Sequence, residues 1–161
     1  MTKIFSLCFL LFFIQTGYKV PDVVLKSLEG KTVNSSTFSN NGKPYLICFF
    51  ATWCKPCKNE LDAISELYPE WQKETGVKVI AISIDDPKTV NKIAPFVKSN
   101  DWNFEFYHDE NMDLKRALNV ICSPHLFLVD ASNNIVWQHD SYKDGDEDEI
   151  YSKIKESISK R

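Results

Sequence analysis

Apolar positions along this chain fall into two kinds of run, continuous and spaced, and their alternation predicts the fold. "YLICFFA" (45–51) follows Pro44 and stays apolar throughout, and "VKVIAISI" (77–84) is nearly so. Runs this short, rich in aromatic and β-branched residues, read as buried strands. Between them Leu61, Ile64 and Leu67 recur at steps of three, as on one helix face, so a helix is predicted from Lys55 to about Tyr68, where Pro69 should kink or break it. Val90, Ile93, Ala94 and Val97 repeat helical spacing over 89–99, with Pro95 as a potential breaker. "FEFY" (104–107) predicts a short strand and residues 114–118 a short helix. "HLFLVD" (125–130) and "IVWQH" (135–139) predict two strands joined through Ala131-Ser132-Asn133-Asn134, because asparagine tolerates the positive φ of a tight turn. "VVLKSLEGKTVN" (23–34) divides at Glu29-Gly30 into another hairpin. A last helix spans 146–159, with Asp146, Glu147, Asp148 and Glu149 as a solvated start and Lys153, Lys155 and Lys160 toward its end, charges that complement its dipole. Strands alternating with helices predict one α/β domain.

The first residues stand outside that pattern. Lys3 precedes a largely apolar run (4–14), and Gln15-Thr16-Gly17 follows, the layout of a secretory signal peptide. We therefore expect a signal over 1–17, cleaved near Gly17, and a domain over 18–161. The run is too short to cross a hydrocarbon core, which needs about 20 residues as a helix, although an uncleaved signal would leave a membrane tether. Cys8 lies inside the run rather than at its end and reads as a passive apolar residue, not a lipid-attachment site. At 161 residues and 43% hydrophobic content, the chain supports a packed core and not disorder. Its net charge of −3, or −4 once Lys3 is lost, leaves no basic patch for nucleic acid.

Export places the remaining cysteines, Cys48, Cys54, Cys57 and Cys122, in an oxidising compartment where thiols pair unless a reductant is supplied. Two of them lie in "FFATWCKPCKNE" (49–60), where strand gives way to helix. Such a pair is open to three readings: a redox couple, half of a metal site, or a fixed bridge. A helix N-terminus stabilises a thiolate, which favours Cys54 as the attacking sulfur. Cys57, one turn on, is placed to attack a mixed disulfide and expel the partner. Pro56 suits a first helical turn because no donor is wasted there.

These residues resemble the thioredoxin superfamily, and more narrowly the exported TlpA/ResA-like thiol-disulfide oxidoreductases. The matching stretches are "GKPYLICFFATWCKPCKNEL", "GVKVIAISIDD" and "NVICSPHLFLVDASNNIV", with "LEGKTV" fitting the leading hairpin. The resemblance implies a thioredoxin-like three-layer sandwich, its central mixed sheet flanked by helices and preceded by an N-terminal β-hairpin. It implies a redox disulfide between Cys54 and Cys57, and a cis-proline at Pro124 facing it. Read from the residues alone, Ser123-Pro124 is an ordinary trans turn. In cis it leaves the Ser123 backbone free to pair with an extended client strand, so Trp53, Ser123 and Pro124 become the expected substrate-binding residues.

Departures from the family pattern matter as much. Cys48 stands where thioredoxin proper has a buried acid, so another base is required. Glu60 matches the acid that TlpA/ResA-like members carry as Cys-x-x-Glu, one turn beyond Cys57, and is expected to relay its proton; otherwise it is a surface glutamate in a first helical turn. Cys48 reads as a small buried apolar residue. Alternation along the chain should turn Ser123, not Cys122, toward the disulfide. His125 replaces the usual threonine and lies either near the site or at the solvent edge.

The resulting expectation is a periplasmic enzyme that reduces disulfides of exported proteins. Its electrons would come from a membrane thiol carrier, and cytochrome c maturation is among the tasks the family serves. No cofactor and no metal is implied. The alternative is a thioredoxin-fold copper chaperone holding Cu(I) through Cys54, Cys57 and His125 or His139, since soft thiolates select Cu(I). Against it stand the Trp53 and Pro56 frame and the two-residue spacing, where the fold's copper carriers generally have three. A closed zinc site wants four ligands, and one Cys-x-x-Cys supplies two. A fixed bridge in a binding module would exchange slowly with dithiothreitol. A peroxidase of related fold needs a different threonine spacing than Ala51-Thr52-Trp53 provides.

Overall fold

The computed structural model describes residues 18–159. The expected signal peptide lies outside the described residues, and no helix among those described is long and apolar enough to cross a membrane. The strands are β1 (Tyr18–Lys19), β2 (Val24–Ser27), β3 (Thr32–Asn34), β4 (Tyr45–Phe50), β5 (Lys78–Ser83), β6 (Glu105–His108), β7 (His125–Val129) and β8 (Asn134–Asp140). They form one mixed sheet in the order β1-β8-β7-β4-β5-β6-β2-β3. β4, β5 and β6 run parallel, and the remaining pairs are antiparallel. The helices are α1 (Lys55–Thr75), α2 (Ile93–Asn100), α3 (Asp113–Ala117) and α4 (Asp146–Ser159), and they flank the sheet as the resemblance implies.

β4 is buried along its whole length, which is why its sequence does not alternate. The β2–β3 hairpin turns at Gly30, φ +79°, and β2 adds to the edge of β6. The β7–β8 hairpin places Asn133 at φ 66°, the left-handed geometry expected of that turn. β1 was not foreseen: two residues pairing with Ile135 and Asn134 are too few to show a pattern.

Helix α1 corrects one expectation. Pro69 neither ends nor replaces it, and the helix continues to Thr75 before Gly76, φ +67°, caps it through a bond to the Gln72 carbonyl. A proline inside a helix forfeits a backbone bond and costs about 3 kcal/mol. Packing on both sides of it offsets that cost. Tyr68 and Trp71 are buried, the Tyr68 hydroxyl accepts from Gln72 Nε2 at 2.8 Å, and Trp71 stacks on Tyr151 of α4 with centroids 5.3 Å apart. Pro95 is harmless for another reason: it is the third residue of α2, where the N–H has no intrahelical partner. Trp102, just after α2, donates from Nε1 to Asp62 of α1 at 3.0 Å, which ties that segment to the helix carrying the cysteine pair.

Candidate active site

Strand β4 delivers the chain to a tight turn in which Cys54 N–H bonds the Ala51 carbonyl at 3.0 Å, and α1 begins at the next residue. Cys54 is the helix N-cap, and its Sγ accepts the Cys57 N–H at 3.3 Å. Cys54 and Cys57 form a disulfide, with Cα atoms 5.3 Å apart. Cys54 keeps 7% exposure while Cys57 keeps none. Only one sulfur is therefore open to attack from outside. Pro56 sits in the first turn, as its sequence position suggested.

Above the disulfide lies the loop before β7. The Ser123–Pro124 peptide is cis, the Ser123 carbonyl oxygen stands 3.7 Å from Cys54 Sγ, and the Ser123 hydroxyl stands 3.8 Å from the same sulfur. Cys122 is exposed and unbridged, so the expected alternation between these two residues holds. Trp53, adjacent to Cys54, is 64% exposed, and Ile121, two residues before Ser123, is 90% exposed. Ile121 was missed in the sequence, because an isoleucine in a connecting loop looks the same whether it fills the core or faces water.

One turn beyond Cys57 on α1 the surroundings are dry. Glu60 is 1% exposed and so is not a surface residue. Its Oε1 has no hydrogen-bond partner among the described residues. Burial first, and the charge of Asp146 second, push its pKa up to about 8. Cys48 is fully buried, as expected, and its thiol pKa is raised by burial and further by Glu60. A buried carboxyl interacting with the buried Cys48 resists ionisation and keeps its proton to higher pH than an exposed one.

Asp85 follows the second buried strand and stood out in no sequence pattern. It is buried and accepts the Thr52 N–H at 2.9 Å, the Thr52 hydroxyl at 2.6 Å and the Ser83 hydroxyl at 2.8 Å. Its own carbonyl lies 2.8 Å from His108 Nε2. Asp85 thus anchors the turn that presents Trp53 and Cys54.

Residues 16–138 match the family model for the AhpC/TSA family. The chain belongs to that family. Among curated relatives, the thiol-disulfide oxidoreductase ResA of Bacillus thuringiensis subsp. konkukian is 34% identical over 123 residues, covering 76% of this chain and 68% of the relative. ResA of Geobacillus thermodenitrificans is 31% identical over 122 residues, with 76% and 67% coverage. The solution structure of an uncharacterized thioredoxin-like protein from Porphyromonas gingivalis superposes with a TM-score of 0.79 at 46% identity, over 89% of this chain and 95% of that one. A putative thiol:disulfide interchange protein DsbE from Chlorobium tepidum, 22% identical, shares the fold with a TM-score of 0.76 over 88% and 96% of the two chains. With the cysteine pair in place, this AhpC/TSA member is a thiol-disulfide oxidoreductase of thioredoxin-like fold.

Within that family frame, the two histidines considered for copper are otherwise engaged. His125 lies 3.3 Å from Gln138 Oε1 and stacks on Phe127, and burial first holds its pKa below the ordinary value against the opposing Gln138 bond and Asp140 charge. His139 Nε2 lies 3.1 Å from Asp146 Oδ2. Among the described residues no group of three or more His, Cys, Asp and Glu side chains is arranged to hold a metal ion. Asp146 also departs from the expected solvated helix start, being only 9% exposed.

Proposed function

We propose that this oxidoreductase reduces disulfides of exported proteins, with Cys54 as nucleophile, Cys57 as resolving thiol and Glu60 as the acceptor of its proton. The observation that carries this reading is the asymmetry of the site: Cys54 keeps some exposure, whereas Cys57 is fully buried one helical turn before a buried carboxyl. In the reduced enzyme the Cys54 thiolate, stabilised by the Cys57 N–H and the helix start, attacks a client disulfide. A mixed disulfide forms and one client sulfur leaves as a thiolate. Cys57 then gives its proton to ionised Glu60 and attacks Cys54 Sγ, which expels the second client thiolate and forms the Cys54–Cys57 disulfide. An acid at about 8 is a good match for a thiol, since transfer between groups of similar pKa is nearly balanced.

The client would lie across Ser123 and Pro124 as an added strand, with Trp53 and Ile121 as apolar lips on either side. The chain would act in the periplasm after removal of residues 1–17, or from a tether if they stay. A membrane thiol carrier would return two electrons and two protons per cycle. Cytochrome c maturation is one setting that fits this chemistry. The Cu(I) chaperone has less support, because His139 is occupied by Asp146 and His125 by Gln138.

Trapping tests the assignment. Cys57→Ser should accumulate mixed disulfides with clients and Cys54→Ser should not; equal trapping by both would refute the division of roles. The reduction potential tests direction, since values near about −270 mV mark a reductant and values near about −120 mV an oxidant. N-terminal sequencing of protein from the cell envelope should begin near Tyr18, and an intact Met1 on cytosolic protein would refute export.

A further inference from the structure

The end of β6 holds a buried histidine that the disulfide chemistry leaves unused. His108 is 8% exposed and pairs with Ser83 of β5 on one side and Lys26 of β2 on the other. Residues side by side in a sheet present their side chains on the same face, so Ser83 and His108 share one. Both meet Asp85 just beyond the end of β5. The Ser83 hydroxyl donates to Asp85 Oδ2 at 2.8 Å, and His108 Nε2 stands 2.8 Å from the Asp85 carbonyl oxygen. A carbonyl only accepts, so Nε2 carries the proton. β5 has ended at Ser83, which leaves the Asp85 carbonyl outside the strand, and the imidazole supplies its donor. His108 also lines a cavity of about 300 Å³ with Leu28, Val90, Ile93 and Ala94.

We propose that His108 is a positioning residue for Cys54: by holding the Asp85 backbone it fixes the carboxylate that in turn fixes the active-site turn. The inference rests on the reading of Cys54 as the nucleophile.

Each link from β6 to the cysteine is a hydrogen bond of ordinary length. The Asp85 carboxylate accepts the Thr52 N–H at 2.9 Å and the Thr52 hydroxyl at 2.6 Å. Thr52 lies inside the turn that the Ala51 carbonyl and the Cys54 N–H close at 3.0 Å. Asp85 is 1% exposed, so without the imidazole its carbonyl would lack a donor where water does not reach, and the peptide would rotate to find one. A short side chain with two torsions cannot absorb that rotation, so the carboxylate would move off Thr52. The turn that aims the Cys54 sulfur would loosen, and a misplaced reacting atom costs rate even when the change lies far from the chemistry. The bonds thus run from the end of β6 to the nucleophile without passing through the disulfide or Glu60.

The test pairs amide hydrogen exchange of the oxidised full chain, read by NMR, with single-turnover attack of the reduced enzyme on dithiodipyridine. Cys122→Ser serves as the background, because the exposed Cys122 thiol would also react with that probe. His108→Leu removes the donor, His108→Gln keeps a side-chain N–H, and the cavity beside the ring gives both room. His108→Leu should speed exchange of the Thr52 amide about tenfold beyond any change in the β4 amides, which report the whole fold, and slow attack by Cys54 about tenfold. His108→Gln should restore most of both. Parental Thr52 exchange or a parental attack rate in folded His108→Leu overturns the proposal, as does His108→Gln behaving like His108→Leu. Should His108→Leu not fold, nitrogen NMR of the ring in the unaltered protein decides: a proton on Nε2 supports the link, and a proton on Nδ1 alone leaves the Asp85 carbonyl without a donor and overturns it. The Thr52 exchange is read with the disulfide closed and does not depend on which sulfur attacks, so client trapping by Cys54→Ser in place of Cys57→Ser would overturn the nucleophile assignment separately.

Discussion

Glu60→Gln should make the oxidised protein more stable relative to the parent as pH rises. The folded carboxyl is raised from an ordinary 4.5 to about 8, with burial the main cause. Below the ordinary value the carboxyl is protonated both folded and unfolded, and stability carries no pH dependence from it. Between the two values the unfolded chain releases the proton and the folded chain keeps it, so the native state loses up to about 1.4 kcal/mol per pH unit. Above about 8 both states are ionised and the accumulated cost stays fixed. Three and a half pH units at that slope give a ceiling of about 5 kcal/mol, and water drawn toward the ionised carboxylate lowers the measured figure to about 2–5 kcal/mol. Glutamine cannot ionise and escapes this loss. Urea unfolding of both oxidised proteins at about pH 4, 6 and 9 measures the difference, in which all other titrations cancel to first order. A gap that stays constant across this range would show that Glu60 ionises normally in the fold.

The same substitution should slow resolution of the mixed disulfide by about a hundredfold and remove a limb of its pH profile that rises toward about 8, while attack by Cys54 changes little; stopped-flow reduction separates the steps, and unchanged resolution would leave Cys57 dependent on water. Asp85→Ala strips Thr52 and Ser83 of their acceptor and should cost about 2–4 kcal/mol, with slower attack by Cys54 as the turn loosens. Denaturation and single-turnover kinetics check this, and unaltered values in both would deny Asp85 its anchoring role. Ile121→Asp should lower kcat/KM for a protein client about tenfold, the loss of an apolar contact of about 1.4 kcal/mol, while reduction of the enzyme's own disulfide by dithiothreitol is unchanged. Equal loss with both partners would mean that the substitution disturbed the site instead of the docking surface.

Much of this molecule is local in origin and was legible in the chain. Aromatic and β-branched runs at 45–51 and 77–84 read as buried strands by length and residue type, and Leu61, Ile64 and Leu67 mark one helix face whatever packs against it. Cys54 and Cys57 stand at the strand-to-helix junction because those two patterns meet there, so the N-cap position of Cys54 followed from order along the chain. Pro124 was recognisable through family resemblance, not through its own chemistry, since Ser-Pro is ordinary without its surroundings. Tertiary structure decided the rest. Glu60 occupies a first-turn position that suits a surface acid equally well, and only the closure of β4, α1 and α4 around it removes water and raises its pKa. Asp85 is 33 residues from Thr52, and no periodicity relates them. His139 and Asp146 meet only because β8 and the start of α4 close on each other through residues 141–145. Pro69 stays within a helix because Trp71 finds Tyr151 on a distant element. Local patterns set conformation and face, because steric and solvation preferences act over a turn or a strand. Burial, charge coupling and proton affinity arise when elements far apart in the chain exclude water together, and that exclusion is a property of the assembled fold.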